Sequence, residues 1–424
     1  MLSKLKPKSE FSRNVLTLMT GTTIAQAIPF ALSPIITRIY SPEDFGMFAL
    51  YFSILGLVGV IATARYEIAI VLPKTDEDAI NILALSLSIT IFLTLLVSIL
   101  IFFFKDSVLD LFNATDIGSL LYLMPLSLLL VGFYNSFNYW SNRKKRFKNI
   151  SNSRVIQSLG TGSGQIGFGT SGIFGGMILG NIIGSIFSTT ILIKKFIQND
   201  TLLIKNIDKN KAIEQMKIYK DFPLVNSFHV FSDVAKTSLS VMLISAYFGS
   251  AVLGFYALSI RVLQAPLGII GSSFGQVLYQ RFNTAKENNE TIYDIAKNVM
   301  IKLILFALPI FITLYFISPE LFAFVFGEKW RVAGEYTQIL LPYLFMNFLI
   351  SPISQIPIIL NKQKQFFYIA LVGNIGMPLI IFICFKLNYS ITNSLLVITF
   401  FFTIYYSLII IWILNLTKKD RNEV

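Results

Sequence analysis

In "ATARYEIAIVLPKTDEDA" (62–79), Arg65 and Glu67 stand one residue apart, inside a stretch from Gly46 to Leu72 that is otherwise almost wholly apolar. A guanidinium offers a planar fork of donors that matches phosphate oxygens. A carboxylate beside it can neutralise it or take up a proton or sodium ion. A second set lies in "FPLVNSFHVFSDVAKTSLS" (222–240), where His229, Asp233 and Lys236 are four and three residues apart. That spacing puts them on one helix face, and Asn226 extends it. Arg261 follows in the next apolar run. Ionisable groups in such runs face a cavity or pair with one another, and they mark transport pathways. The candidate substrate-binding residues are therefore Arg65, Lys236, Arg261 and His229, with Glu67 and Asp233 as candidates for coupling or gating. Plainer roles compete. Arg65 can snorkel to the interface, Asp233 and Lys236 can neutralise each other, and His229 can be a hydrogen-bonded spacer. On a continuous helix, positions i and i+2 point about 200° apart, so Arg65 and Glu67 are expected to find separate partners.

Catalytic signatures are missing. The chain has no Walker-type phosphate loop, no metal-spaced His/Cys cluster and no nucleophile elbow. "GSGQIG" (162–167) has the G-x-G-x-x-G spacing, but no strand precedes it and no acid follows about 20 residues on. The expectation is a protein that is not an enzyme, with no cofactor and no metal site. A Na+ or H+ coupling ion is the one small partner left open.

What positions these residues is a set of helices in lipid. The 424 residues are 54% hydrophobic and 14% charged, with a mean hydropathy of +0.67. Soluble domains carry roughly 25% charged residues. Twelve runs approach the ~20 residues that cross ~30 Å of hydrocarbon. They are 14–37, 46–72, 79–103, 117–140, 154–170, 172–193, 223–247, 251–280, 299–326, 336–360, 366–387 and 391–416. The first has no small-x-small cleavage pattern and reads as an uncleaved span. Gly172, Gly176, Gly180 and Gly184 repeat every four residues, a close-packing face. "TDEDA" (75–79) suits a solvated cap for the third span. Cys384 stands alone, so there is no disulfide framework.

The formal charge of +12 is unevenly spread, with dense clusters in "NRKKRFK" (142–148) and in the 194–220 connection. With twelve spans most of the Lys and Arg fall on one side, which places both termini in the cytoplasm. Such loops meet anionic lipids, not nucleic acid. The chain is also doubled. "DFGMFAL" (44–50) matches "VLGFYAL" (252–258), and "NRKKRF" (142–147) matches "NKQKQF" (361–366), at offsets of 208 and 219. Six spans per half make a parallel repeat about an axis along the membrane normal. The expected fold is an all-α polytopic membrane protein of two pseudo-symmetric six-helix bundles enclosing a central cavity. The N-lobe covers 1–200, and the C-lobe, opening with a cytoplasmic linker, covers 201–424.

"TRIYSPEDFGMFALY" (37–51), "ARYEIAIVLPKTDEDA" (64–79), "KDFPL" (220–224) and "GFYALSIRVLQAPLGIIGSSFGQVLYQRF" (254–282) resemble the bacterial Wzx-type polysaccharide flippases. These belong to the multidrug/oligosaccharidyl-lipid/polysaccharide exporter superfamily, whose fold is MATE-like. The resemblance implies two six-helix lobes around a cationic cavity in the bacterial inner membrane. It also implies alternating access that moves a polyprenyl-diphosphate-linked oligosaccharide repeat unit to the outer leaflet, for O-antigen of lipopolysaccharide, capsule or exopolysaccharide. A polysaccharide polymerase is the partner it suggests. Arg65, Glu67 and Arg261 sit on matching motif positions, whereas the His229–Asp233–Lys236 stripe rests on geometry alone. A cation-coupled drug exporter of the same fold is the nearest rival, and a membrane-embedded glycosyltransferase or polymerase a more distant one.

Overall fold

The computed structural model describes residues 10–112, 115–288 and 290–423, leaving aside within these the side chains of 10–16, 111, 115–116, 225, 229, 265–277, 279, 287 and 419–423. Helices follow one another throughout: α1 (Glu10–Ile39), α2 (Pro42–Gly59), α3 (Tyr66–Ala69), α4 (Asp76–Leu111), α5 (Met124–Arg143), α6 (Phe147–Thr170), α7 (Gly176–Asp200) and α8 (Lys209–Ile218). Then come α9 (Ser227–Phe248), α10 (Ser250–Glu287), α11 (Ile292–Phe326), α12 (Arg331–Ile350), α13 (Ile356–Ile359), α14 (Gln363–Lys386) and α15 (Ile391–Glu423). Among the described residues there is no strand. Among the described residues eight helices are long and apolar enough to cross a membrane, so this is a multi-pass membrane protein. The four remaining predicted runs fall on α2, α6, α9 and α10. In α2 the first turn is acidic, and α6 is rich in serine, glycine and glutamine, which dilutes their apolar length.

Local chemistry explains where the helices begin. Ser41 caps α2: its Oγ accepts from the Asp44 N–H at 3.2 Å, and the Asp44 carboxylate accepts from the Ser41 N–H at 2.9 Å. Pro42 fits the first helical position because its missing N–H would have been an orphan there. Thr75 caps α4 in the same way through the Asp78 N–H, so "TDEDA" is a helix start.

Turn geometry bears on the repeat. Between α5 and α6, Lys145 is left-handed (φ 55°) and the Arg146 N–H donates back to the Ser141 carbonyl at 2.8 Å. Between α13 and α14, Asn361 (φ 56°) and the Lys362 N–H to Pro357 O bond at 2.7 Å reproduce that turn. Gly172 (φ 67°) after α6 and Asn388 (φ 57°) after α14 close two further helices with the same six-to-one bond. Lys145 and Asn361, like Gly172 and Asn388, are 216 residues apart. Sequence similarity alone paired "NRKKRF" with "NKQKQF" three residues out of the register that the turns define.

By internal contacts the chain groups into two compact units, Met1–Ala251 and Val252–Val424. In the first, α6 packs on α1 and α7, α4 on α5, and α2 on α9. Its core includes Tyr66, Ile70, Leu83, Trp140 and Phe196. Gly164 and Gly180 bring α6 and α7 together so closely that a Cβ on Gly164 would stand 2.9 Å from the Gly180 Cα. Gly176, Gly180 and Gly184 thus form the predicted packing face, while Gly172 serves the turn. The "GSGQIG" segment lies inside α6, where Gln165 bonds the Met177 carbonyl at 3.1 Å. The second unit packs α12 against α11 and α15 over a core including Phe282, Met300, Leu349 and Ile413.

Candidate functional site

The run predicted as one helix over 46–72 breaks in the middle. α2 ends at Gly59, six turn residues (60–65) follow, and the last two of them, Ala64 (φ 47°) and Arg65 (φ 62°), are both left-handed before α3 resumes. Neither is glycine, so each carries a steric cost of about 1 kcal/mol. Strain of that kind persists where the surroundings over-determine it, commonly at functional sites.

The break corrects the expectation that Arg65 and Glu67 point apart. The backbone reversal brings Arg65 Nη1 to 3.3 Å from Glu67 Oε1. Glu67 is buried (2% exposed) and its other oxygen accepts from the Thr63 hydroxyl. Arg65 is 23% exposed, and its Nε donates to Asn226 Oδ1 at 3.1 Å. The guanidinium is therefore held at two points, and Nη2 has no partner among the described residues. One place down, the Tyr66 hydroxyl donates to the Met216 carbonyl at 3.0 Å, tying the break to α8.

Asn226 opens α9, and α2 and α9 run antiparallel. Gly46 faces Ser250, where a Cβ would overlap the Ser250 carbonyl; Gly56 faces Ser238 and Val234; Arg65 faces Asn226. Val234 and Ser238 thus belong to the α9 face that meets α2, and of the predicted stripe it is Asn226 that stands at the Arg65 break. Asp233 is exposed and Lys236 half-buried within electrostatic reach of it, so the two share a countercharge one turn apart. The side chain of His229 lies outside the described residues. Arg261 is half-buried on α10 in the second unit, and no hydrogen-bond or ion-pair partner for it exists among the described residues. Thr63 and Asn226 are the partners that spacing did not single out for Arg65 and Glu67. Thr63 stands at i−4 from Glu67, a signal present in the sequence. The Asn226 contact spans 161 positions and had none.

The basic segment 142–148 is less available than its composition suggests. Arg143 bonds Asp76 at 2.9 Å and the carbonyls of Ile70, Pro73 and Thr75. Lys144 pairs with Asp76, and Arg146 with Asp200, which also accepts from the Trp140 indole at 2.9 Å. These pairs clamp the ends of α4 to α7 just beyond the Arg65 break. Lys145 and Lys148 remain exposed. Among the described residues no cluster of His, Cys, Asp and Glu could hold a metal ion.

Residues 35–335 match the model of a family described as "Polysaccharide biosynthesis protein". A stretch of 152 residues is 25% identical to the teichuronic acid biosynthesis protein TuaB of Bacillus subtilis (strain 168). It covers 35% of this chain and spans about a third (32%) of that protein's length. Among solved structures, the lipid II flippase MurJ in an inward closed conformation superposes with a TM-score of 0.75 at 16% identity, over 96% of this chain and 90% of that one. An inward-facing multidrug resistance MATE family transporter of the MOP superfamily gives 0.68 at 13% identity, over 95% of this chain and 96% of that one. At such identities the likeness is one of fold.

Proposed function

Because the chain belongs to the polysaccharide biosynthesis protein family, we propose that it is a flippase, carrying a polyprenyl-diphosphate-linked oligosaccharide repeat unit from the cytoplasmic to the outer leaflet of the bacterial inner membrane. The observation that carries this reading is the Arg65 guanidinium, presented at a strained helix break with part of its donor fork uncommitted. A diphosphate needs a cation that replaces water yet releases its ligand, and a guanidinium already sharing its charge with Glu67 meets both needs. Twelve crossings, both termini in the cytoplasm, and lobes 1–200 and 201–424 rocking about a central cavity complete the picture. Lys236, Arg261 and His229 line the path, and Glu67 or Asp233 takes up a proton or sodium ion if one is coupled. No covalent bond is made or broken. An interior-negative membrane favours outward movement of the anionic head by about 2.3 kcal/mol per charge per 100 mV. A polymerase consuming the product adds direction, and anionic lipids meet the exposed lysines.

The fold likeness to a multidrug transporter favours one alternative, cation-coupled export of drugs. Expression in a flippase-deficient bacterium that makes a matched glycan separates the two. The flippase reading predicts restored surface polysaccharide and no gain in drug tolerance. Drug tolerance without polysaccharide, from a protein shown to be inserted, overturns it.

A further inference from the structure

A second arginine lies half-buried in the first unit, where neither the clamp at the helix ends nor the α2–α9 site employs it. Arg154 is seven residues into α6, about 10 Å along the helix from its first residue. It heads a polar face that continues through Gln157, Ser158 and Gln165. Each of the others is satisfied by a neighbouring helix: Gln157 by Ser185 at 3.4 Å, Ser158 by the Ala25 carbonyl at 2.7 Å, Gln165 by the Met177 carbonyl at 3.1 Å. Arg154 alone carries a full charge, and its Nη1 has only a neutral partner, the Thr22 hydroxyl of α1 at 2.6 Å.

Among the described residues no carboxylate pairs with that charge. α6 contains no acidic residue, and in α1 the single acid is Glu10, about 18 Å along the helix from Thr22. In α7 the single acid is Asp200, already taken by Arg146 and Trp140. A half-buried cation on a membrane helix, left with one hydroxyl, is well placed to take an anion arriving from outside. The Nη1 bond to Thr22 leaves the Nε and Nη2 edge, the side on which a guanidinium takes two oxygens of one phosphate.

We propose that Arg154 is a phosphate-binding residue for the diphosphate of a prenyl-linked substrate, oriented by Thr22 and acting apart from Arg65. The lipid source rests on the flippase reading; the phosphate chemistry does not. The test is binding of farnesyl diphosphate to the purified full chain in detergent, with farnesol and inorganic pyrophosphate as comparison ligands. Losing the charge-assisted bonds in Arg154→Gln should weaken farnesyl diphosphate about ten- to a hundredfold and leave farnesol unchanged. Arg154→Lys keeps the charge but loses the two-donor edge, and should weaken it about three- to tenfold, so the assignment remains testable if the Gln variant does not fold. Farnesyl diphosphate binding unchanged in both variants but lost in Arg65→Gln overturns the Arg154 assignment and leaves the flippase reading standing. Pyrophosphate binding as tightly as farnesyl diphosphate overturns the lipid source. A wild-type chain that prefers neither diphosphate over farnesol overturns both the assignment and the reading it rests on.

Discussion

Replacing Arg65 by alanine should damage the protein in two separable ways. Glu67 is 2% exposed, and Arg65 is its cationic partner at 3.3 Å. Deleting one member of a fully buried pair costs about 3–5 kcal/mol, because the surviving charge is left uncompensated. Arg65 is itself 23% exposed, and solvent screens part of that term, so about 2 kcal/mol is the reasoned loss. At about 1–2 °C per kcal/mol for a chain of 424 residues, thermal unfolding in detergent should fall by about 2–4 °C. Adding Glu67→Gln removes the orphaned charge while its amide oxygen can still accept from Thr63, so the double variant should regain most of that loss. Transport should stay absent in both, read as surface polysaccharide in a complemented strain, because the phosphate receptor is gone. A double variant that recovers stability and transport together would refute the reasoning: Arg65 would then be only the counterion of Glu67.

Gly180→Ala drives a Cβ into the Gln165 backbone, where nothing flexible can yield; it should cost about 1–3 kcal/mol, seen as a lower melting temperature. Asp200→Asn should cost about 1–2 kcal/mol by stranding the partly exposed Arg146 while keeping an acceptor for the Trp140 indole, so the melt should shift with little change in tryptophan emission. Arg281 beside Glu290 holds that exposed carboxyl below its ordinary range. A depressed carboxylate stabilises above its unfolded value and loses that contribution as pH falls through its folded one. Wild-type and Arg281→Ala melts should therefore differ slightly at neutral pH and converge in acid.

The apolar runs reveal the helices because lipid demands them, and some boundaries also carry a cap such as Ser41 or Thr75, or a turn such as Gly172. The break at Ala64–Arg65 was illegible. It holds neither glycine nor proline, and its left-handed geometry is imposed by partners such as Asn226 that are distant in sequence. For the same reason the basic run 142–148 read as a free lipid contact, although Asp76 and Asp200 bind three of its cations. Asp233 and Lys236 were placed on one face by spacing alone, whereas the antiparallel pairing of α9 with α2 is made by Val234 and Ser238 and brings Asn226 to Arg65.

Reconstitution addresses the central claim most directly. Proteoliposomes carrying a fluorescent prenyl-diphosphate-linked oligosaccharide in both leaflets are treated with an impermeant reductant, and the protected inner pool is followed over time. The account predicts that the wild-type chain empties that pool, that Arg65→Ala leaves it protected, and that fluorescent phosphatidylcholine stays protected in either case. A wild-type chain that leaves the diphosphate lipid protected, or that exposes phosphatidylcholine equally fast, contradicts it.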